Sequence, residues 1–511
     1  MVCDLSRGCQ PALAHTGDVS AGDRDDGTVT NACNLYETSM NQYPYFLKAE
    51  DAVKHYKLKE RAGYDLAPLQ LEDLNRVSMH DRVKWFYDVG VGKTVCSTVY
   101  AWMKGHHCHI VLMPPVLIPQ WVKWLRRVDP DSQVLAYKGT PTQRKAMQLK
   151  GPKWVCMSYD IFRGDFDRIF RELGPEHPHI IVDECTALKS SHSKLFKRVN
   201  TLATSYLQLL TGTPTSKPTD AYAYVKLTTP MVYRSLAQFE NHHVAARDFF
   251  GNITAYNDLG VVHQNLMLNA AKRTKEEMFP GIVKPRYQVM DYDLDPGHLK
   301  LYQELANEQM LLLEDGQKID ATTAQRLYHN LQQIIVNLDF YSGDNEARSA
   351  AYDLIDQTID ETQCMDPKKS KLIIWTYYKK TSASVLGYLE DCGAVGAYSD
   401  ANTAKSVDRF LHDPTCRILV AQPMSAGFGL EPQHVCWENL FLEYSTVPIH
   451  FAQSVGRTDR KGQVHMPTMR IAVAQGTIQV PLHNRLLHNG DLVKQTEGNL
   501  ASIRDAIYGK T

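Results

Sequence analysis

Short apolar runs bounded by polar turns recur along the first half of the chain and predict buried strands. Between them lie segments long enough for amphipathic helices. After Thr94, apolar residues recur at i, i+3, i+4, i+7 and i+8, which places them on one helix face. Buried strands that alternate with helices are typical of a parallel sheet covered on both faces. The apolar runs of this first series are residues 83–87, 110–113, 154–157, 180–182 and 207–210.

The alternation stops between residues 230 and 365, where helical patterns replace it, and then resumes. The second series of apolar runs is residues 372–375, 394–397, 418–421, 440–442 and 471–474. The pattern therefore predicts an α/β fold of two parallel-sheet lobes with a helical insertion between them. We expect a flexible tail over 1–39, a first lobe over 40–235, the insertion over 236–366, a second lobe over 367–490 and a C-terminal helix over 491–511.

Composition narrows the classes of protein that fit this pattern. The 511 residues are 43% hydrophobic and 22% charged, with a formal net charge of −1, which excludes a globally basic nucleic-acid binder but leaves room for a local basic groove. No apolar stretch reaches the length of a membrane span, and no signal-peptide pattern opens the chain. We therefore expect an intracellular, soluble protein without a membrane partner.

Cysteine and histidine usage points away from a structural metal site. The 11 cysteines form no CxxC pair, which favours reduced intracellular thiols over a disulfide framework. The cluster His106, His107, Cys108 and His109 runs directly into an apolar segment. A polar turn before a buried strand is the better interpretation of this cluster than a metal site.

The segment Gly90-Val-Gly-Lys-Thr94 follows an apolar run and precedes a helix, as a phosphate-binding loop does. Glycines let backbone N–H groups turn toward phosphate oxygens, and the helix N-terminus adds its positive dipole end. In such a loop Lys93 reaches the β- and γ-phosphates, and Thr94 holds Mg²⁺. The generic pattern has a further glycine five residues before Gly92, but Tyr87 stands there. An ordinary glycine turn before a helix remains the alternative.

A second half of a nucleotide site follows about 90 residues later. The apolar run 180–182 ends in Asp183 and Glu184. A strand end beside a phosphate loop is where a Mg²⁺-binding aspartate belongs, and an adjacent glutamate can polarise the attacking water. The order of loop, lysine and threonine, then strand and paired carboxylates, predicts ATP and Mg²⁺ as ligands.

Further segments match an ordered series of known sequence motifs. In the first lobe these are residues 66–70, 88–94, 111–121, 137–139, 157–159, 183–189 and 210–214, and residues 272–280 match a further segment between the lobes. In the second lobe these are residues 371–376, 425–430 and 453–463. The last one fits Gln-x-x-x-Arg-x-x-Arg-x-Gly-Gln, and its spacing predicts Arg457 and Arg460 on one helix face. Over about residues 64–475 the chain resembles a Swi/Snf-type ATPase of helicase superfamily two, with a compact, phage- or bacterial-like motor core.

The resemblance implies two RecA-like lobes and a role for each matching residue. Arginines delivered from the second lobe would neutralise transition-state charge. The catalytic residues implied are Glu184, Gln453, Arg457 and Arg460. The nucleotide-binding residues implied are Gln70, Gly90, Gly92, Lys93, Thr94, Asp183 and Gly429, with Thr94 and Asp183 at the metal. Coupling is assigned to Thr211, Gly212 and Thr213, and nucleic-acid contact to Trp121, Lys189 and Thr376.

Several features depart from the family pattern or are less specific. Thr186 replaces a histidine that contacts the third motif, and Glu431 stands where the family approaches nucleic acid and nucleotide, so that a carboxylate there would repel phosphate unless turned away. The basic residues Lys123, Arg126 and Arg127 after Trp121 fit a backbone contact or a solvated helix face equally well.

The sequence thus predicts an ATP hydrolase that moves on duplex DNA with little sequence preference. Two alternatives stay open: a strand-separating DNA or RNA helicase, and a slow nucleotide-controlled DNA-binding switch. A metabolite kinase would not explain a second lobe with two arginines of this kind. Protein partners and oligomeric state are not readable from the sequence.

Overall fold

The structure of the chain is a computed structural model. The residues described are 44–203, 206–247, 251, 253–314, 329–344, 346–398, 402–423, 430–445 and 448–484. From Tyr45 onward they belong to one compact unit. The predicted tail 1–39, the predicted C-terminal helix 491–511 and Gly429 lie outside the described residues.

The first lobe is built on a sheet of seven parallel strands in the order β3-β4-β2-β5-β6-β1-β9. Its strands are β1 (Arg82–Tyr87), β2 (His109–Met113), β3 (Val134–Ala136), β4 (Trp154–Ser158), β5 (His179–Asp183), β6 (Leu207–Leu210) and β9 (Ala270–Arg273). Since β5, β6 and β1 are neighbours and parallel, their carboxyl ends meet at one edge of the sheet. The segments that follow these three strands therefore lie together.

Helices cover both faces of this sheet. Along β2, Ile110 and Leu112 join one core cluster, whereas Val111 and Met113 join the cluster on the other face. This alternation has the period of two that a strand imposes. The helices are α1 (Ala49–His55), α2 (Leu58–Ala62), α3 (Pro68–Val77), α4 (Lys93–Met103), α5 (Ile118–Val128), α6 (Pro141–Ala146), α7 (Tyr159–Gly164), α8 (Phe166–Leu173), α9 (Lys194–Leu202), α10 (Asp220–Thr228), α11 (Leu236–His243) and α12 (Leu259–Met267).

The second lobe has a parallel sheet of six strands in the order β10-β15-β14-β11-β13-β12. Along β11, Leu372 and Ile374 face one core and Ile373 and Trp375 face the other. The strands are β10 (Arg286–Tyr292), β11 (Lys371–Trp375), β12 (Val395–Ala397), β13 (Ile418–Ala421), β14 (Cys436–Phe441) and β15 (Thr468–Ala474). The helices of this half are α14 (Pro296–Glu314), α15 (Leu338–Ser342), α16 (Ala350–Thr362), α17 (Lys379–Tyr388), α18 (Thr403–His412) and α19 (Pro448–Thr458). The predicted α/β fold with two parallel-sheet lobes is thus confirmed.

The segment 236–366 differs from the helical insertion that we expected. Strand β9 completes the first sheet beside β1, and β10 forms an edge of the second sheet beside β15. A separate antiparallel hairpin is formed by β7 (Val244–Arg247) and β8 (Ile253–Tyr256). These strands escaped prediction because they are short, or lie at an edge and carry polar residues. The segment therefore joins the lobes through one strand in each sheet, with the short helix α13 (Lys275–Met278) between them.

None of the described helices combines the length and the apolar character that crossing a lipid bilayer requires.

Candidate functional site

The phosphate loop connects β1 to α4. Gly90 and Gly92 have φ angles of +84° and +99°, a conformation that glycine adopts without strain. A Cβ atom on Gly92 would lie 2.5 Å from Gln70 Nε2 and 2.9 Å from Tyr64 Oη. Glycine is therefore required at this position both by the turn and by the close neighbours. Helix α4 begins at Lys93, so its free N–H groups face the space above the loop.

Lys93 is folded back onto the loop. Its ammonium donates to the carbonyl oxygens of Tyr87 and Asp88, at 2.8 and 3.1 Å. Burial lowers the pKa of Lys93, and the nearby carboxylates Glu184 and Asp183 oppose that shift. A Cβ on Gly212 would lie 3.4 Å from this ammonium, which brings the third motif against the lysine.

The paired carboxylates lie at the end of β5, as the sheet order requires. Asp183 accepts hydrogen bonds from the Trp121 indole N–H at 2.7 Å and from the Glu184 backbone N–H at 3.0 Å. Glu184 adopts a left-handed backbone with φ of 51°. Tyr159 holds this turn, because its hydroxyl donates to the carbonyl oxygens of both acidic residues. Burial raises the pKa of Asp183 and of Glu184.

Two residues predicted to contact nucleic acid are buried instead. Trp121 is 1% exposed and orients Asp183 from helix α5. Thr376 is 0% exposed, and its hydroxyl is hydrogen bonded to Ser382 Oγ at 2.7 Å. A side chain without exposed surface cannot contact a duplex, so we correct both assignments. Lys189 is half-buried and donates to Ser216 Oγ at 2.9 Å.

Other predicted residues support the loop and the carboxylates. Gln70 is buried, and its amide N–H donates to the Val91 carbonyl oxygen at 2.8 Å and to Tyr64 Oη at 3.2 Å. Thr211 donates to Glu184 Oε2 at 3.5 Å and accepts from the Thr213 backbone N–H at 3.2 Å. The third motif therefore touches the carboxylate pair directly.

The second lobe brings its arginines to the same place. Arg457 lies in the last turn of α19, whereas Arg460 lies beyond the helix end at Thr458, which corrects the expectation of one shared helix face. Arg457 is 8% exposed, and burial lowers its pKa to about 10, with Arg460 as the second cause. Its guanidinium Nε has no hydrogen-bond partner in the described part of the chain.

Glu431 and Arg460 form an ion pair, with 3.0 Å between the carboxylate and the guanidinium. The departure at position 431 therefore holds one of the predicted catalytic arginines. At position 186, the threonine hydroxyl donates to the Glu184 carbonyl oxygen at 3.4 Å, so it braces the carboxylate turn.

The phosphate loop, the carboxylate pair and the two arginines line one cavity of about 610 Å³ between the lobes. The first lobe contributes the phosphate loop, the carboxylate pair and a wall that includes the basic residues Lys123 and Arg127. The second lobe contributes the ion pair and Arg457. The lining residues are Tyr64, Val89, Gly90, Gly92, Lys93, Thr94, Val95, Leu117, Gln120, Lys123, Trp124, Arg127, Asp183, Glu184, Glu431, Arg457 and Arg460.

Gln453, one helical turn before Arg457, is not among the described residues that line the cavity. Sequence reasoning missed the roles of Trp121 and Tyr159 as supports of the carboxylates, although both lie within matched segments.

Comparison with known proteins places this chain in a family. The model of the SNF2-related domain matches residues 44–339. The chain is 24% identical over 295 residues to TATA-binding protein-associated factor 172 of Homo sapiens, covering 50% of this chain and 16% of that protein. It is 23% identical over 251 residues to ATP-dependent helicase brm of Drosophila melanogaster, covering 45% and 15%. The chain thus spans less than a fifth of the length of these two relatives.

A solved structure, the Sulfolobus solfataricus SWI2/SNF2 ATPase core in complex with dsDNA, aligns with 85% of this chain and 94% of that chain. The identity is 18% and the TM-score is 0.40. The family model, in contrast, matches more than half of the chain. The chain therefore belongs to the SNF2-related family, the Swi/Snf-type ATPases of helicase superfamily two.

Proposed function

We propose that this protein hydrolyses ATP to ADP and phosphate and uses the cycle to move along duplex DNA. One observation carries the proposal. Lys93 and the carboxylates of the first lobe share a single cavity with Arg457 and Arg460 of the second lobe. A site divided in this way is complete only when the lobes are closed, so nucleotide turnover and lobe movement are linked.

The cavity suits a nucleoside triphosphate in size and charge. Its volume lies within the usual range for small-molecule sites. The helix N-terminus and Lys93 would neutralise the phosphates. Thr94 and Asp183 supply the oxygen ligands that Mg²⁺ prefers, and both line the cavity. Bound there, Mg²⁺ would neutralise charge on the β- and γ-phosphate oxygens.

Hydrolysis follows from the remaining groups. Glu184 would accept a proton from the attacking water, and a carboxylate with a raised pKa is the better base near neutral pH. Arg457 and Arg460 would stabilise the charge that develops on the transferring phosphoryl group, a contribution of about 10³–10⁵ in rate for arginine fingers. Loss of phosphate removes this contact and allows the lobes to separate.

A groove on the first lobe offers a surface for the DNA backbone. It has a volume of about 530 Å³ and includes Lys189, Lys217 and Arg247 together with the carboxylates of Asp220 and Glu240, the latter 3.0 Å from Arg247. Contacts to phosphates depend little on sequence, which suits a translocase. We propose that Lys217 makes such a contact, so Lys217→Ala should weaken binding to all duplexes alike and reduce the salt slope by about one.

The decisive experiment is steady-state ATPase activity of the purified protein, alone and with duplex DNA, single-stranded DNA or RNA, at two salt concentrations. Strong, salt-sensitive stimulation by duplex DNA supports the proposal, and triplex displacement then tests movement. Lys93→Ala should abolish turnover and leave DNA binding in place. Equal turnover in this variant and the wild-type protein would contradict the nucleotide site.

The same experiment separates the two alternatives. Stimulation by single strands or RNA alone would indicate a strand-separating helicase. Nucleotide binding without turnover would indicate a switch, a result that the ion pair between Glu431 and Arg460 would help to explain because it engages one finger. Since ATP and DNA are both found inside cells, the proposed function places the protein there.

A further inference from the structure

An ion pair connects the two lobes beside the nucleotide cavity. Lys275, on helix α13 after the edge strand of the first sheet, lies 2.7 Å from the carboxylate of Asp459 in the second lobe. The ammonium also donates to the Asp459 carbonyl oxygen. The side chains are 10% and 17% exposed, so the pair is partly shielded from solvent and salt.

Lys275 and Asp459 are each connected, by the chain or by a hydrogen bond, to groups proposed to act in hydrolysis. Asp459 lies in the chain between Arg457 and Arg460. On the other side, the Lys275 backbone N–H donates to Asp88 Oδ2 at 3.1 Å. Asp88 opens the phosphate loop, and its carbonyl oxygen accepts a hydrogen bond from Lys93. A continuous series of contacts therefore runs from the phosphate loop through Lys275 to the turn that carries the arginines.

The surrounding contacts bring the same two segments together. A Cβ on Gly456 would lie 3.5 Å from Val89 Cβ, so helix α19 packs against the phosphate loop. The ammonium of Lys461 lies 5.3 Å from the centre of the Phe279 ring. The contact between Gly456 and Val89 is apolar, and the contact between Lys461 and Phe279 is a long one between a cation and a ring. The ion pair is directional, because its ammonium contacts the side chain and the backbone of one residue.

We propose that Lys275 is a positioning residue that sets the register of Arg457 and Arg460 against the phosphate loop through its ion pair with Asp459. The inference rests on the proposed ATP hydrolysis. A positioned group displaced by about 1 Å can lose about 100-fold in rate. Because the arginines act on charge that develops in the transition state, loss of register should lower kcat and leave the KM for ATP nearly unchanged.

The test is a double-mutant cycle in steady-state ATPase. Lys275→Ala and Asp459→Ala should each lower kcat by about 10–100-fold. The double variant should be no slower than either single variant, since both remove the same contact. Lys275→Arg and the charge exchange Lys275→Asp with Asp459→Lys should recover much of the rate. Lys284→Ala, an exposed lysine of the same inter-lobe segment, is the matched control and should behave like the wild-type protein.

Two outcomes would overturn the inference: a kcat for Lys275→Ala equal to that of the control, or fully additive losses in the double variant. Thermal unfolding of each variant identifies a folding defect, in which case Asp459→Asn replaces the alanine variants. A second measurement does not need hydrolysis. Dyes at the exposed positions Lys197 and Glu390 report the distance between the lobes by energy transfer. Lys275→Ala should broaden the distribution of that distance. An unchanged distribution contradicts the inference even if the wild-type protein proves inactive.

Discussion

Trp121→Phe tests the structural basis of Asp183, the carboxylate proposed to bind Mg²⁺. The indole N–H donates to Asp183 at 2.7 Å, in a region where both side chains are almost fully buried. Phenylalanine keeps most of the ring packing and removes the donor. A hydrogen bond to a charged group contributes about 1.5–3 kcal/mol. Its loss should therefore weaken binding of the Mg²⁺–nucleotide pair by up to about 10–100-fold, at 1.4 kcal/mol for each factor of ten.

The pH dependence gives the same variant a sharper readout. Burial raises the pKa of Asp183, and the Trp121 hydrogen bond opposes that shift. Without the bond the pKa rises further, so the carboxylate is protonated at a higher pH. The acid limb of the ATPase pH profile should therefore move to higher pH, and the activity lost at neutral pH should partly return in alkaline buffer.

Trp85→Phe is the matched control for this experiment. The Trp85 indole donates at 2.7 Å to Gln208, a neutral acceptor in the same sheet, and the residue does not line the cavity. It should lose stability without moving the acid limb. The reasoning is refuted if Trp121→Phe leaves the acid limb in place, or if its main defect is weaker binding to DNA.

Three further predictions concern the cavity and the core. Arg457→Ala should keep nucleotide binding near normal and cut turnover by about 10³-fold or more, measured by ATPase and fluorescent-nucleotide titration; equal loss of both would make Arg457 structural. Glu431→Gln should tighten nucleotide binding by a few-fold, because it removes a half-exposed carboxylate whose charge interaction with the phosphates is worth about 0.2–1 kcal/mol. Weaker binding in the same titration would contradict the position of Glu431 at the cavity. Burial holds the pKa of His109 well below the ordinary value, so the folded protein keeps it neutral while the unfolded chain takes up a proton below about pH 6.5. Its contribution to stability is therefore lost as pH falls below that value. His109→Phe, which keeps the stacking on Trp154, should gain stability over the wild-type protein by about 1.4 kcal/mol per pH unit in urea unfolding at acid pH, and a pH-independent difference would refute this.

Local sequence was sufficient to predict much of the fold and to propose the chemistry of the site. Apolar runs predict the buried strands of both sheets, because a strand in a parallel sheet covered on both faces has no side chains that face solvent. The phosphate loop is equally local: the φ angles of Gly90 and Gly92 and the helix start at Lys93 follow from a few consecutive residues. The position of Asp183 and Glu184 at a strand end is likewise encoded by a few consecutive residues.

Tertiary structure decided which partner each of these side chains meets. The edge strands β9 and β10 were missed because an edge strand can carry polar residues, so its sequence lacks the apolar run. The family resemblance implied that Trp121 and Thr376 contact nucleic acid, but packing buries both of them. The pair of Lys275 and Asp459 joins residues 184 positions apart, and no local pattern encodes such a contact. Periodicity and motif spacing report the conformation of neighbouring residues, whereas ion pairs, burial and a cavity between lobes depend on how distant segments close on each other.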